Sequence, residues 1–327
     1  MRSKSRSTRP ALVLFFLAPV IGELLSGSSP PVEFFNPFVL LILAALYGSG
    51  AILIRELRVR WGKGWPTVFA LGAAYGIVEE GLMVKSFFDP DWMDLGLLGS
   101  YGRWAGVNWV WSLQLTIYHA VFSIAIPILL VELIFPARRD EPWVGRRGMT
   151  GLSLLLLADV LLGFFALTPY RPPFVPYLLA IVVTVALFLI ARRLPARCVT
   201  PRPRRMVRPL WFALLGFCAT LVFFVIQWVL PEIGQPVPLT ILTSVALVAL
   251  AAWGVRQMSR SGAWTDEHRL ALAGGALMFF VLLAPMTELD TTRTDNTAGM
   301  SAVGLAVLSF LAWLWRRVRG GCVRSGD

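Results

Sequence analysis

The chain has few charged side chains and few of the residues that build soluble catalytic centres. Only 15% of its 327 residues are Asp, Glu, Lys or Arg, against roughly a quarter in soluble domains. It has three cysteines and two histidines. Cys198, Cys218 and Cys322 match neither a disulfide framework nor a metal-binding spacing, so they imply no redox role.

Sequence motifs for nucleotide-driven or hydrolytic chemistry are also absent. The chain contains no P-loop, no Rossmann fingerprint, no HExxH zinc motif and no GxSxG elbow. We therefore expect no cofactor and no bound metal, and we do not expect this chain to pump with nucleotide energy by itself.

The chain is instead rich in long apolar stretches. Hydrophobic residues make up 57% of it, and the mean hydropathy is +0.69. A helix needs about 20 mostly apolar residues to cross a bilayer. The sequence predicts an all-α polytopic membrane protein with about ten transmembrane helices, at residues 11–27, 38–56, 65–84, 107–135, 149–168, 174–191, 209–230, 239–255, 270–287 and 300–315.

The basic residues crowd into every second gap between these stretches. With the N-terminus inside, 26 of the 30 Lys and Arg residues are cytoplasmic, and only Lys85, Arg103, Arg171 and Arg293 lie outside. Short loops rich in Lys and Arg stay in the cytoplasm, so both termini are predicted to be cytoplasmic. The net charge of +11 is dispersed, which favours contact with membrane lipids and not with nucleic acid. We expect a multi-pass protein of a prokaryotic plasma membrane.

The chain divides into two parts at a Pro/Arg-rich segment. Residues 1–191 are predicted to form a six-span subdomain with polar intramembrane residues, 192–208 a basic cytoplasmic linker, and 209–327 a four-span subdomain. The longest external connection, residues 85–109, is rich in Trp, Phe, Asp and Gly. It is either an interfacial anchor or a lid over a cavity.

Two successive glutamates lie inside the third span. Ionisable residues at membrane depth usually face the interior of a helix bundle. Gly72, Gly76 and Glu80 repeat every four residues, a small-residue stripe that lets another helix approach closely. We therefore expect Glu80 to point into a helix contact. Neighbours on an α-helix lie about 100° apart, so Glu79 is expected at the edge of that contact, beside Tyr75.

The fourth span carries a polar stripe that would meet these glutamates. Its members follow one another at intervals of three or four residues and so lie along one face of the helix. The predicted polar cavity or binding site contains Glu79 and Glu80 together with Asn108, Ser112, Thr116, His119 and Ser123. The alternative is that these groups hold helices together by hydrogen bonds.

Three other carboxylates lie at membrane depth. Glu23 is expected near the outer end of the first span, where it could join the same site. Glu132 is expected to reach Arg138 or the interface by snorkelling, and Asp159 to bond to a nearby Thr or Ser. His268 lies in the cytoplasmic sequence TDEHR and is expected to be solvated.

The Glu79–Glu80 pair followed by His119 resembles the CAAX-protease and bacteriocin-processing (CPBP) family of intramembrane glutamic proteases, over residues 73–133. In that family paired glutamates and histidines on following helices activate water for peptide cleavage. The resemblance implies that Glu79, Glu80 and His119 are catalytic and that the substrate is a membrane peptide. The chain departs from it in three ways: Val84 replaces the arginine of EExxxR, Leu115 replaces the Phe of FxxxH, and a second intramembrane histidine is missing.

Three functions remain compatible with these residues. The first is an internal polar cavity that binds or transports a small molecule, an ion or a lipid. The second is a CPBP-like intramembrane protease, and the third is a non-catalytic structural membrane component. The sequence leaves open whether the protein is an enzyme, and the departures from EExxxR and FxxxH favour the binding or transport function.

Overall fold

The computed structural model describes residues 8–196, 207–259 and 264–323, with side chains up to residue 320. Ten long helical segments run through these residues, together with a one-turn helix at Pro31–Phe34. The segments are α1 (Arg9–Pro19, continued by a π-helical turn at Val20–Leu24), α2 (Pro37–Arg60), α3 (Trp65–Gly76, continued at Ile77–Met83), α4 (Trp109–Ile134), α5 (Arg146–Leu167), α6 (Phe174–Arg193), α7 (Pro209–Glu232), α8 (Val237–Ser259), α9 (Asp266–Leu289) and α10 (Met300–Val323).

The prediction of an all-α polytopic membrane protein is confirmed. Eight helices of the described residues are long and apolar enough to cross a membrane, and these are α2 and α4 to α10. The remaining two predicted spans, 11–27 and 65–84, are helical as α1 and α3 but are not among those eight. The count of ten spans and the cytoplasmic placement of both termini therefore stay predictions.

Contacts between loops are consistent with the predicted alternation of the chain between two ends of the bundle. Among the segments predicted outside, Arg293 donates to the carbonyl of Gly27 at 2.8 Å, and Tyr101 to that of Gln235 at 3.0 Å. At the opposite end, Arg139 pairs with Asp266 at 2.7 Å. Segments predicted on one side thus meet each other.

Helix α4 is the centre of the bundle, and the outer helices face lipid. In its most apolar window, 83% of α4 is buried, whereas only 6% of the corresponding window of α6 is. Phe122 of α4 packs on Phe280 of α9 with ring centroids 5.0 Å apart. The four C-terminal helices are therefore in contact with the N-terminal bundle through an aromatic core. The predicted linker 192–208 lies mostly outside the described residues.

The long connection between α3 and α4 is folded against the bundle. It contains a two-stranded hairpin, β1 (Arg103–Trp104) and β2 (Val107–Asn108). The Arg103 guanidinium donates to the carbonyls of Phe88, Asp89 and Gly99 at 2.7–3.1 Å. These bonds fix the connection as an ordered cap over the end of α3.

Candidate functional site: a buried carboxylate and histidine cluster

Four π-helical turns bring the polar side chains of the inner helices together. In a π turn the backbone hydrogen bonds span five residues instead of four, which changes the direction of the side chains. Such turns are frequent at functional sites. Glu23 lies in the turn of α1, Tyr47 in that of α2 at Ala44–Gly48, and Glu79 and Glu80 in that of α3. His119 begins the turn of α4 at His119–Ala125.

His119 is held between the two glutamates of α3. Its Nδ1 lies 3.2 Å from Oε2 of Glu79, and its Nε2 lies 3.1 Å from Oε1 of Glu80. Nδ1 also bonds to Oγ of Ser123 at 2.9 Å. The two carboxylates reach opposite edges of one imidazole, so both contact the same partner. Glu79 lies beside Tyr75, as expected. It also reaches His119 as closely as Glu80 does, which the geometry of a regular α-helix did not predict.

Glu23 and Tyr47 extend the cluster onto α1 and α2. The Tyr47 hydroxyl donates to Glu23, and Oγ of Ser29 donates to the other oxygen of Glu23 at 3.2 Å. Glu23 is close enough to interact electrostatically with His119 and Glu80. The cluster thus contains three carboxylates and one histidine from three helices, as the placement of Glu23 in the sequence suggested.

Glycines allow the backbones around the cluster to approach closely. A Cβ added at Gly76 would lie 3.0 Å from Cβ of His119, and one at Gly72 would lie 2.9 Å from Cα of Ala120. Real Cβ atoms essentially never lie as close as at Gly72, and the distance at Gly76 is shorter than nine in ten real Cβ contacts. The predicted small-residue contact between α3 and α4 is therefore confirmed at both glycines.

The cluster is deeply buried except at Glu80. The Glu79 side chain is 6% exposed and that of His119 3%, whereas that of Glu80 is 14% exposed. Oε2 of Glu80 accepts a bond from Oγ of Ser86 at 2.5 Å, and Ser86 in turn accepts from the indole of Trp111 at 3.0 Å. Glu80 is the member closest to the external cap.

Beyond Glu80, the cap presents a further carboxylate at Asp94. The pKa of Asp94 is raised, first by partial desolvation and then by repulsion from the charge of Glu80. Asp94 is itself exposed. Acidic groups therefore continue from the buried cluster towards the outer surface.

One buried polar atom beside the cluster makes no hydrogen bond within the described part of the chain. It is Oδ2 of Asp159. Asp159 is buried on the otherwise lipid-facing helix α5 and is close enough to Tyr75 to interact electrostatically. The expected bond from Asp159 to a Thr or Ser is not formed by Oδ2. Buried polar groups are rarely left without partners, so this oxygen indicates unused bonding capacity beside the cluster.

The donor set could hold a metal ion. One ligand atom from each of Glu79, Glu80 and His119 lies within 4.8 Å of the others. Imidazole nitrogen and carboxylate oxygen are both ligands of divalent first-row metals. No sequence pattern predicts this donor set, because the glutamates and the histidine are about 40 positions apart and follow no metal-binding spacing.

The rest of the predicted polar stripe has local roles along α4. Asn108 caps the start of the helix by accepting from the backbone N–H of Trp111 at 3.0 Å, and its amide donates to the carbonyl of Leu98. Ser112 donates to the carbonyl of Asn108 at 2.6 Å. The backbone of Thr116 packs against Gly76. Of the five stripe residues, His119 and Ser123 are the two that bond within the cluster.

Three other ionisable residues have partners that the sequence did not indicate. Lys85 is fully buried and donates to the carbonyls of Phe164 and Thr168, each at 2.9 Å, at the end of α5. Glu132 pairs with Arg58 of α2 at 2.6 Å, so its expected snorkelling to Arg138 or the interface is wrong. His268 is buried, not solvated, and bonds to the carbonyl of Val207 at 2.8 Å.

A family model matches this chain from residue 12 to residue 319, and its description is an uncharacterised membrane protein family. The chain belongs to that family. No curated protein and no solved structure matches the chain.

Membership in this family overturns the resemblance to the CPBP proteases. The matching family is not a CPBP family. The local structure agrees, since Lys85, the base nearest to the missing arginine of EExxxR, binds carbonyls of α5 and not the glutamate pair. The paired glutamates and His119 are therefore not evidence of glutamic-protease chemistry, and the family establishes a multi-pass membrane protein without assigning an activity.

Proposed function

We propose that this membrane protein binds a divalent transition-metal ion at Glu79, Glu80 and His119, and that it takes up the ion from the external side. The observation that carries the proposal is that one ligand atom from each of the three side chains lies within 4.8 Å of the others, inside a buried helix contact. The proposal refines the predicted function of binding or transporting an ion in an internal polar site.

Charge balance supports a divalent cation. Uncompensated charge is costly inside a membrane. Two ionised glutamates around a neutral histidine carry two negative charges, which a divalent ion cancels. Without a metal, the same site must hold protons to reduce its charge, so metal binding and proton release are coupled.

The ligand types favour a borderline metal over a hard one. Imidazole suits Zn²⁺, Fe²⁺ and Ni²⁺, whereas Mg²⁺ and Ca²⁺ prefer sites made only of oxygen atoms. The nearby carboxylate of Glu23 provides further donor atoms. The acidic path from Asp94 to Glu80 gives cations a route of favourable potential.

Metal binding to the purified full-length protein tests the proposal. We expect Zn²⁺ or Ni²⁺ to bind with about one ion per chain in calorimetry and elemental analysis, with excess Mg²⁺ failing to compete. Glu79→Gln, Glu80→Gln and His119→Ala should each weaken binding by about 10-fold or more, because each removes one ligand. Glu33→Gln, at an exposed carboxylate on the external side, is the matched control and should bind like the wild type.

A structural role for the cluster gives a different result. If Glu79, Glu80 and His119 only hold α3 against α4, the three substitutions lower the melting temperature while neither wild type nor variants bind metal. Uptake of the bound ion into proteoliposomes then tests the transport part. Binding of the ion without uptake would support the metal site and refute its role in transport.

A further inference from the structure

A second site lies between α7, α9 and α10, away from the metal cluster. These helices enclose a groove of about 720 Å³ that is open to the surroundings of the bundle. Its walls include Ala213, Phe217, Met278, Leu311 and Trp315. All three helices are among those apolar enough to cross a membrane, so the medium outside this groove is lipid.

The length of the groove matches one leaflet of a bilayer. Along α7 its lining runs from Arg208 to Phe217, about 14 Å at 1.5 Å per residue. The hydrocarbon core of a bilayer is about 30 Å thick, so the groove reaches roughly to its middle. An acyl chain of one leaflet would fit along it.

The groove is kept open by a glycine without a packing partner. A Cβ added at Gly274 would find only Cδ1 of Leu311, at 4.0 Å. Its neighbour Gly275 is different, because a Cβ there would lie 2.0 Å from the carbonyl oxygen of Ala213. Gly275 therefore serves the close contact of α7 with α9, whereas Gly274 leaves space in the groove.

Two charged residues line the groove, and both are arginines. They lie at the end of the groove on the predicted cytoplasmic side. Arg208 is exposed, and the Arg319 side chain is 60% exposed. Arg319 stacks on Trp315 at 4.8 Å, and its nearest carboxylate, Glu267, is 3.9 Å away. An apolar channel one leaflet long that ends in two arginines has the charge pattern that complements an anionic lipid.

We propose that this groove binds an anionic glycerophospholipid of the cytoplasmic leaflet. One acyl chain lies along Phe217, Gly274 and Leu311, and the phosphate lies between Arg208 and Arg319. The inference is independent of the proposed metal site. It identifies a lipid site on the four C-terminal helices, in addition to general contact with the bilayer.

Lipid retention by the purified protein tests this proposal. Native mass spectrometry should measure binding of phosphatidylglycerol and phosphatidylcholine with identical acyl chains. We expect about 10-fold preference for phosphatidylglycerol in the wild type, given the attraction of each arginine for an anionic headgroup. The double variant Arg208→Gln/Arg319→Gln should lose that preference. Arg316→Gln, an exposed arginine on the same helix but outside the groove lining, is the control.

Filling the groove separates the chain-binding part from the headgroup part. Gly274→Leu places a side chain in the open space and should reduce binding of both lipids. Gly151→Leu, at a lipid-facing glycine with no atom within 4 Å of its added Cβ, should leave both unchanged. Inorganic phosphate should not displace the bound lipid.

Three results would overturn the proposal. Equal retention of the two lipids by the wild type would exclude headgroup selection. Unchanged lipid binding by Gly274→Leu would show that the lipid binds outside this groove. Displacement of the lipid by inorganic phosphate would mean that the arginines bind phosphate without the acyl chain.

Discussion

Glu132 is expected to be one of the most important single residues for stability, because it neutralises buried arginines. Its carboxylate lies 2.6 Å from Arg58 and 3.5 Å from Arg55, and its side chain is 1% exposed. Arg55 is also fully buried, where it stacks on Trp143 at 3.7 Å and pairs with Glu56 at 2.9 Å. We predict that Glu132→Gln strongly destabilises the fold while leaving its shape unchanged.

The size of the effect follows from what remains after the substitution. Gln keeps the volume and one acceptor oxygen but removes the charge, so Arg58 loses its carboxylate partner. Arg55 keeps Glu56 as its one carboxylate partner among the described residues, together with its bonds to backbone carbonyls. Removing one partner of a buried ion pair costs about 3–5 kcal/mol. We expect the lower end of this range, about 3 kcal/mol, since Gln still accepts one bond. At about 1.4 kcal/mol per factor of ten, the folding constant should fall by more than 100-fold.

Reversible unfolding in mixed micelles of increasing SDS content would measure this difference. The matched control is Glu141→Gln, because Glu141 pairs with Arg138 at 3.1 Å with a side chain that is 44% exposed, and such pairs contribute about 0–1 kcal/mol. A loss below 1 kcal/mol for Glu132→Gln, or equal losses for both variants, would refute the argument. In that case Arg58 would find another partner, or water would solvate it, when the carboxylate is removed.

Three further predictions follow from the helix contacts, the metal site and the topology. Gly72→Ala should lower the free energy of unfolding by about 1–3 kcal/mol, because the added Cβ would lie 2.9 Å from Cα of Ala120. The control Gly151→Ala should be neutral or stabilising. Equal effects of the two substitutions would contradict the close contact at Gly72. Zn²⁺ affinity should fall as the pH is lowered, because glutamate and histidine bind metal only when deprotonated; an affinity that does not change between acidic and neutral pH would exclude them as ligands. Single cysteines placed in 85–105 and 288–299 should react with impermeant reagents added outside, and labelling only from the cytoplasmic side would reject the predicted orientation.

Local sequence patterns account for much of the α3–α4 contact. The four-residue spacing of Gly72, Gly76 and Glu80 predicted a close approach of two helices, and Gly72 and Gly76 do contact Ala120 and His119. The same reasoning placed Glu79 only at the edge of this contact because it assumed 3.6 residues per turn, whereas in the π turn Glu79 reaches His119 as closely as Glu80 does. The number of residues per turn depends on neighbouring helices, and one helix considered alone does not contain that information.

The ion network around Arg55 was missed for a related reason. Arg58 and Glu132 are 74 positions apart, and no periodic pattern connects them. The basic residues near Arg58 contribute to the predicted cytoplasmic side, but the charge of a loop does not indicate whether its arginines are buried. The chain after α4 instead returns to α2, where the carbonyls of Arg138, Arg139 and Glu141 accept bonds from Arg55 at 2.7–3.1 Å. Only the packed structure could indicate that these charges are buried.

The sequence by itself determined that this is a helical membrane protein, and it predicted where its spans lie. The membrane class and the position of the spans depend on two local properties, which are the apolarity of each segment and the charge of each loop. These properties act whether or not the helices have packed. Tertiary structure decided which polar groups meet. Two features depend on the angles and register between helices that are distant in the chain. They are the cluster of Glu23, Glu79, Glu80 and His119 and the open groove beside Gly274. Those angles are set by the sum of many side-chain contacts, so a single sequence does not specify them to within a hydrogen-bond length.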